Sequence, residues 1–373
     1  MGKLPRLDKL ELMPTTTDAG PTLTNITFMG RQIVKYGLIL IITLMVGRTF
    51  LNAFAAFWKN THPPKPTAPT LGFGILPAIK FPTQKDTDKP QRYELETKTG
   101  NFPKFAEKAK VYFMPGFNST LFDDENTREI AASFGFVFEP EPLDAQNYRF
   151  TKSKPLISTM DINIRSKTFD FKTNYLSKQE LLIASKVPDT QTAIAQVKSA
   201  LISAGINPFD LMEDASASAE AVYLKASGNK LQPATSISDA QFVQVDLRRA
   251  PIDGYEMYTP EGAEGTVHAI VTAAFSGKDA IVSLRNKYFP VDYDQEETYP
   301  LRSVSTAWNV LQSGEGYIAN KGELDSTVIR YVYLGYFNSF DYQPYLQPIY
   351  IFEGDKGFLG YVSAIDPKYI QVE

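Results

Sequence analysis

The chain is expected to be an α+β protein: an N-terminal transmembrane helix, then antiparallel sheets each packed by a helix, in about three α-then-β units. Three observations carry this expectation. The segment Tyr36–Trp58 is apolar and broken by charge only once, at Arg48. Downstream, three amphipathic stretches with a 3.6-residue period each stop at a glycine. Between them lie alternating or β-branched runs joined by turn sequences, the signature of antiparallel hairpins.

The bulk numbers bound the function. A chain of 373 residues, 43% apolar and 21% charged, can bury a sizeable core. The formal charge of −4 is unevenly spread. Residues 1–69 hold eight Lys/Arg (Lys3, Arg6, Lys9, Arg31, Lys35, Arg48, Lys59, Lys65) against Asp8, Glu11 and Asp18, a net of +5 that leaves −9 for the rest. An acidic bulk gains nothing from phosphate backbones, so no nucleic-acid partner is expected. With no cysteine, disulfides, thiolate metal sites and Cys nucleophiles are excluded.

In chain order, residues 1–32 scatter Pro, Gly and Thr without period and read as a disordered cytoplasmic tail. Residues 33–58 read as the transmembrane helix. About 20 apolar residues span a bilayer. Arg48 costs roughly 2.5–3.5 kcal/mol at mid-span, which the run Gly37–Gly47 (GLILIITLMVG) offsets. Tyr36 and Trp58 suit the two interfaces, and the cations before Tyr36 place the N-terminus inside and the bulk outside. A cleaved leader is the rival, since Ala53-Phe54-Ala55 resembles a processing site after a short apolar core. The long preceding region and the apolar Phe57 and Trp58 favour an anchor; a buried soluble helix is the third possibility. Residues 59–90 are Pro-rich and read as a stalk, partly docked where LGFGILPAIKFP turns apolar.

Three units are then expected, at 91–185, 186–300 and 301–373. Their helices are Glu125–Phe134, Thr190–Ala204 and Ser303–Ser313. Phe242–Leu247 alternates as a strand. Hairpins are expected about Ser276–Asp279, Ser227–Asn229 and Gly354–Gly357, and Val328–Phe337 is rich in the Tyr and β-branched residues that sheets prefer.

In the last unit, SVSTAWNVLQSGEGYI, VIRYVYLGYF, YLQPIYIFEG and GYVSAID follow one another. A Ser/Thr-capped helix ending at Gly leads to a strand ending Leu-Gly-Tyr, a Pro-led strand ending Phe-Glu-Gly, and a closing strand. This order over Ser303–Asp366 resembles the PepSY-like modules of exported bacterial proteins. It also resembles the Yyc-type regulatory ectodomains that hang from one N-terminal helix beside a sensor kinase. The resemblance implies a non-catalytic role in binding, inhibition or regulation at the cell envelope.

No catalytic constellation emerges. Of the two histidines, His62 lies in the stalk and His268 in a strand, where a structural role is expected; HExxH and a phosphate-binding glycine loop are absent. Asp292, Asp294 and Glu296 could offer oxygens to Ca²⁺ but lack the glycine and distal Glu of a calcium loop, so a solvated loop is expected. Asp123-Asp124-Glu125 reads as a helix start. No cofactor or metal is expected. Tyr is amphipathic and suits contact surfaces, so the densest aromatic stretch supplies the candidate binding set: Tyr336, Phe337, Phe340, Tyr342 and Tyr345. The function expected is that of a single-pass, membrane-anchored extracytoplasmic protein that binds a protein, peptide or wall component. An envelope hydrolase with paired carboxylates and a structural subunit of a surface assembly are the alternatives.

Overall fold

A computed structural model describes residues 23–61, 68–85, 89–98, 100–183, 186–212, 219–262, 264–322 and 326–371. The chain forms two compact units divided after Ala68.

The first unit contains α1 (Leu23–Thr61), 39 residues long. Its stretch Gly30–Ala55 is long and apolar enough to cross a membrane. The helix exceeds the expected 33–58 at both ends, so residues 23–32 are not the disordered tail they were expected to be. The physical reason is continuity: no proline interrupts the sequence between Pro21 and Pro63, so nothing removes a helical donor. The Thr43 and Thr49 hydroxyls donate back to Ile39 O (2.8 Å) and Val46 O (2.8 Å), which satisfies them without leaving the helix. Residues 1–22 and His62 lie outside the described residues.

The second unit runs in the order β1 (Arg92–Leu95), β2 (Lys108–Phe113), α2 (Asp123–Ser133), β3 (Glu141–Pro142), β4 (Asn147–Lys152), β5 (Ser158–Asn163), β6 (Phe169–Thr173), α3 (Gln179–Leu182) and α4 (Thr190–Ser203). Next come α5 (Phe209–Met212), β7 (Ala219–Ser227), β8 (Lys230–Pro233), β9 (Phe242–Leu247), β10 (Met257–Tyr258), β11 (Val267–Thr272), β12 (Ile281–Asn286) and β13 (Asp292–Pro300). It closes with α6 (Val304–Gln312), β14 (Tyr317–Asn320), β15 (Ser326–Phe337), β16 (Tyr345–Leu346), β17 (Pro348–Gly354) and β18 (Leu359–Ser363). The architecture is mixed α+β and mostly antiparallel, with parallel pairing of β1 and β10 to β15. The three expected helices and three expected hairpins form close to their expected bounds. Two helices carry side-chain caps: Asp189 accepts from Thr192 N at 2.9 Å for α4, and Ser303 from Thr306 N at 3.1 Å for α6. At α2 the acids do fill the first turn, but Asp123 turns back to accept from Thr120 N and Oγ1.

The strands do not respect the three expected units. A nine-stranded sheet, β3-β4-β5-β6-β12-β11-β9-β7-β8, fuses the first two through the β6–β12 pair. A second sheet, β1-β15-β17-β18-β14, draws β1 in from residues 92–95, and β2 pairs with β13 and β16 in a third. Cross-strand pairing is non-local and leaves no mark on a segment's own periodicity, so boundaries at 185 and 300 could not be seen to be crossed.

The expected stalk is also corrected. From Pro69 onward it belongs to the second unit. Leu76 is fully buried, donates to Tyr369 O (2.8 Å) and accepts from Gln371 N (2.7 Å). Gln84 accepts from Ile318 N (2.8 Å) and donates to Ile318 O (2.5 Å), so one side-chain amide closes the β14 edge that another strand could otherwise join.

The main core lies between α2, α4 and one face of the nine-stranded sheet. Ile130, Ala131 and Phe134 from α2's side, and Ala193, Val197 and Leu201 of α4, pack on Phe150, Met160, Phe169, Phe171, Val245 and Ala269. A second cluster joins α6 (Ala307, Trp308, Leu311) to Ile329, Phe352 and Phe358. Beside α5, Arg249 is wholly buried. It pairs with Asp210 of α5, which also accepts from the Tyr288 (2.9 Å) and Tyr293 (2.6 Å) hydroxyls. Arg249 Nη2 donates to Phe289 O at 2.5 Å. Hydrogen bonds satisfy both Asp210 oxygens and both terminal Arg249 nitrogens, which offsets much of the cost of burying the pair, while Arg249 Nε has no hydrogen-bond partner among the described residues.

Candidate binding cleft

The face of the nine-stranded sheet turned away from α2 and α4 carries the polar chemistry. Glu141 lies opposite Arg149, Arg149 opposite Asp161, and Asp161 opposite Asp170. Asp170 lies opposite Arg285, Arg285 opposite His268, His268 opposite Asp246, and Asp246 opposite Glu220. Directly opposed residues share a face, so a row of ionisable side chains crosses the sheet from β3 to β7. Neighbours neutralise most of it. Arg149 holds Asp161 at two points, each 2.7 Å, and Lys287 holds Asp170 at 2.7 Å. Asp161 and Asp170 remain a directly opposed like-charge pair, tolerable because a cation flanks each.

Over one half of this row opens a cleft of about 730 Å³. Its sheet side is lined by Asn147, Asp161, Asn163 and Asp170, with Thr168 and Lys287 at the strand ends, and the turns beside it add Asp144, Arg165 and Ser166. The opposite lining is aromatic: Phe117, Phe289, Phe340 and Tyr342, with Asp341 between the last two. Four separated stretches therefore converge, around 117, 144–170, 287–289 and 340–342, and the size falls within the 300–1,000 Å³ typical of ligand sites. Tyr342 is held rather than loose. Its hydroxyl donates to Met114 O at 2.9 Å, and its ring meets Phe117 edge-on at 5.7 Å. The Phe340 ring lies 4.3 Å from the Arg285 guanidinium, which ties the cleft to the neighbouring charge cluster.

In that cluster, His268 Nδ1 lies 2.9 Å from Asp246 Oδ1 and 3.5 Å from Glu264. Arg285 pairs with Glu261 and Glu264, each at 2.7 Å. Gly265 N donates to Asp246 at 2.9 Å, and a Cβ on Gly265 would meet Leu247 O at 2.2 Å, so glycine alone lets this loop approach β9. Burial opposes charge on His268, but the Asp246 hydrogen bond and the Glu264 field outweigh it and raise its pKa. Asp246 moves the opposite way: burial pushes it up, and His268 and Gln244 together bring it below the ordinary carboxylate range. Ligand atoms of Asp246, Glu264 and His268 lie within 4.8 Å of one another, as a metal would require. Arg285 already occupies the Glu264 oxygen nearest the imidazole, so a hydrogen-bonded charge network describes the group better than a metal centre.

Of the five residues expected to form a binding surface, the structure brings two to the cleft, Phe340 and Tyr342. Tyr336 and Phe337 are corrected to core positions, 1% and 4% exposed. The Tyr336 hydroxyl donates to Lys110 O (3.1 Å), and Phe337 packs with Tyr317, Ile349 and Tyr361. The two point to opposite faces of β15, and both faces are packed at this end: Tyr112 and Met257 cover Tyr336, as Tyr317 and Tyr361 cover Phe337. Tyr345 is half-buried against Phe73 (4.9 Å) and Phe113 (6.1 Å). Asp292–Glu297, expected to be a solvated loop, is instead the first part of strand β13 against β2, with a bulge between Asp292 and Glu296 that absorbs the acidic residues. Tyr36, Arg48 and Trp58 are exposed on α1. Sequence reasoning missed Asp161, Asp170 and Lys287. The alternation in FDFKT (β6) was a signal that could have marked Asp170 as facing away from the core, but not that Asp161 would lie opposite it.

No family model matches the chain, and no curated protein does. Among solved structures it is similar to an uncharacterized protein from Eubacterium rectale ATCC 33656, at 12% identity and a TM-score of 0.32, over 72% of this chain and 86% of that one.

Proposed function

We propose that this chain is a single-pass, membrane-anchored binding or regulatory protein of a bacterial cell envelope. Its second unit is extracytoplasmic and engages a protein or peptide segment in the cleft. The observation that carries this reading is the convergence of an aromatic wall (Phe117, Phe289, Phe340, Tyr342) on a polar sheet face in one open cleft. Aromatic side chains supply contact area at low entropic cost, and polar groups fix orientation. A hydrolase is less well supported by the same geometry. Both Asp161 oxygens are taken by Arg149, and Asp170 is held by Lys287, which leaves neither free as a nucleophile. Anchoring by α1 is supported by its apolar stretch Gly30–Ala55, and cytoplasmic placement of the N-terminus by the cations ahead of it. The role agrees with the resemblance of the last α+β segment to PepSY-like modules and Yyc-type ectodomains.

The test is crosslinking and affinity capture from intact membranes with the double variant Phe340→Ala, Tyr342→Ala. Loss of a stoichiometric partner, with the thermal midpoint shifted only a few degrees, is the expected result. Undiminished capture would place binding elsewhere.

A further inference from the structure

Arg48 is a lone charge in the apolar part of α1. It sits in the apolar stretch Gly30–Ala55, is exposed on α1, and forms no ion pair among the described residues. Sequence makes the isolation stronger: no Asp or Glu occurs between Asp18 and Asp86, so no acid of its own helix can reach it. At 1.5 Å per residue it lies about 20 Å along the helix from Lys35 and about 17 Å from Lys59. Those flanking cations, with Trp58, mark the interfaces, so Arg48 stands near mid-span.

Its side of the helix mixes apolar residues with small and polar ones. Gly37, Ile41, Leu44, Arg48, Asn52 and Ala55 follow one another at spacings of three and four and so share one side. Small residues let helix backbones approach, and amide side chains bond across helices in lipid. A charge at this depth is retained when it meets an opposite charge or a polar cavity.

We propose that this face of α1 packs against a transmembrane helix of a different protein, one that carries an Asp or Glu at the depth of Arg48. The inference rests on α1 spanning the membrane. A second copy of the chain is the wrong partner, because it would bring Arg48 against Arg48. The pairing gives the anchor a second role: it selects the neighbour beside which the extracytoplasmic unit works.

The test uses the full chain, fluorescently labelled, in dioleoylphosphatidylcholine vesicles with a Leu/Ala transmembrane probe helix bearing one mid-span Asp. A second probe carries Leu at that position. Polar contacts between helices in lipid support a roughly tenfold preference. Energy transfer should favour the Asp probe by that factor, Arg48→Leu should abolish the preference, and Arg48→Lys should keep part of it. Equal transfer to both probes, or an Asp preference that survives Arg48→Leu, would overturn the pairing and leave Arg48 reaching for lipid phosphates. A carbonate wash separates the two levels. A chain that stays in the membrane pellet yet shows no Asp preference loses only the pairing, whereas a chain that washes off loses both the span and the pairing.

Discussion

At the scale of single residues, His268 connects the charge row to a measurable pH response. Its folded pKa is raised by Asp246 and Glu264 against the opposition of burial. Protonation is therefore tighter in the folded state. The stability it contributes is fully present below the unfolded value of about 6.5 and is lost as pH rises through the higher folded value. Asp246, with its lowered pKa, adds stability that disappears only at acid pH, as the carboxylate protonates. Denaturation midpoints should thus fall as pH rises from near 6 into the mildly alkaline range, and His268→Gln should flatten that slope. An unchanged slope in the variant would remove His268 from the account. Its strand position and structural role were legible in VHAIVTAAF; its partners were not, because Asp246 and Glu264 reach it through the β9–β11 register and a glycine-dependent loop. The aromatic set shows the same limit. The composition of 336–345 identified Phe340 and Tyr342, but the period-2 alternation of β15 could not reveal that both faces are covered at its C-terminal end, which is what buries Tyr336 and Phe337.

Elements were more readable than contacts. The helices α2, α4 and α6 declare themselves by an apolar stripe and a closing glycine, and the β7–β8, β11–β12 and β17–β18 hairpins by their turns. The short helix α5 was not legible: four residues are too few for a period, and its role rests on Asp210, which touches nothing nearby in sequence. Removing one partner of a buried, hydrogen-bonded pair leaves the other charge uncompensated, at a cost of roughly 3–5 kcal/mol. Asp210→Ala should therefore cost about that much in chemical denaturation, far more than an exposed pair such as Arg128–Glu139, worth about 0–1 kcal/mol. A loss near 1 kcal/mol would mean that solvent reaches Arg249 and that Asp210 does not hold α5 in place.

For the whole molecule, the expectation of successive units gave way to one interleaved body after Ala68. Local pattern specifies strands, whereas the order in which strands pair is decided by burial across the entire chain. The cleft is a product of that pairing: Asp161 and Asp170 come from one stretch, Lys287 from another, and Phe340 and Tyr342 from a third. The long apolar helix α1, in contrast, was legible at once, because a stretch of about 20 apolar residues is a local property of the sequence. The two parts combine in the proposed function, with the span fixing where the protein stands and the cleft fixing what it holds. Site-specific photocrosslinking in intact membranes tests that combination most directly, with the reactive group placed at Tyr342 in the cleft or at Tyr331, an exposed tyrosine of β15 outside the cleft lining. The account predicts a discrete partner adduct from position 342 and none from 331. An adduct from 331 alone, or none from 342 while the protein stays folded and membrane-bound, would contradict it.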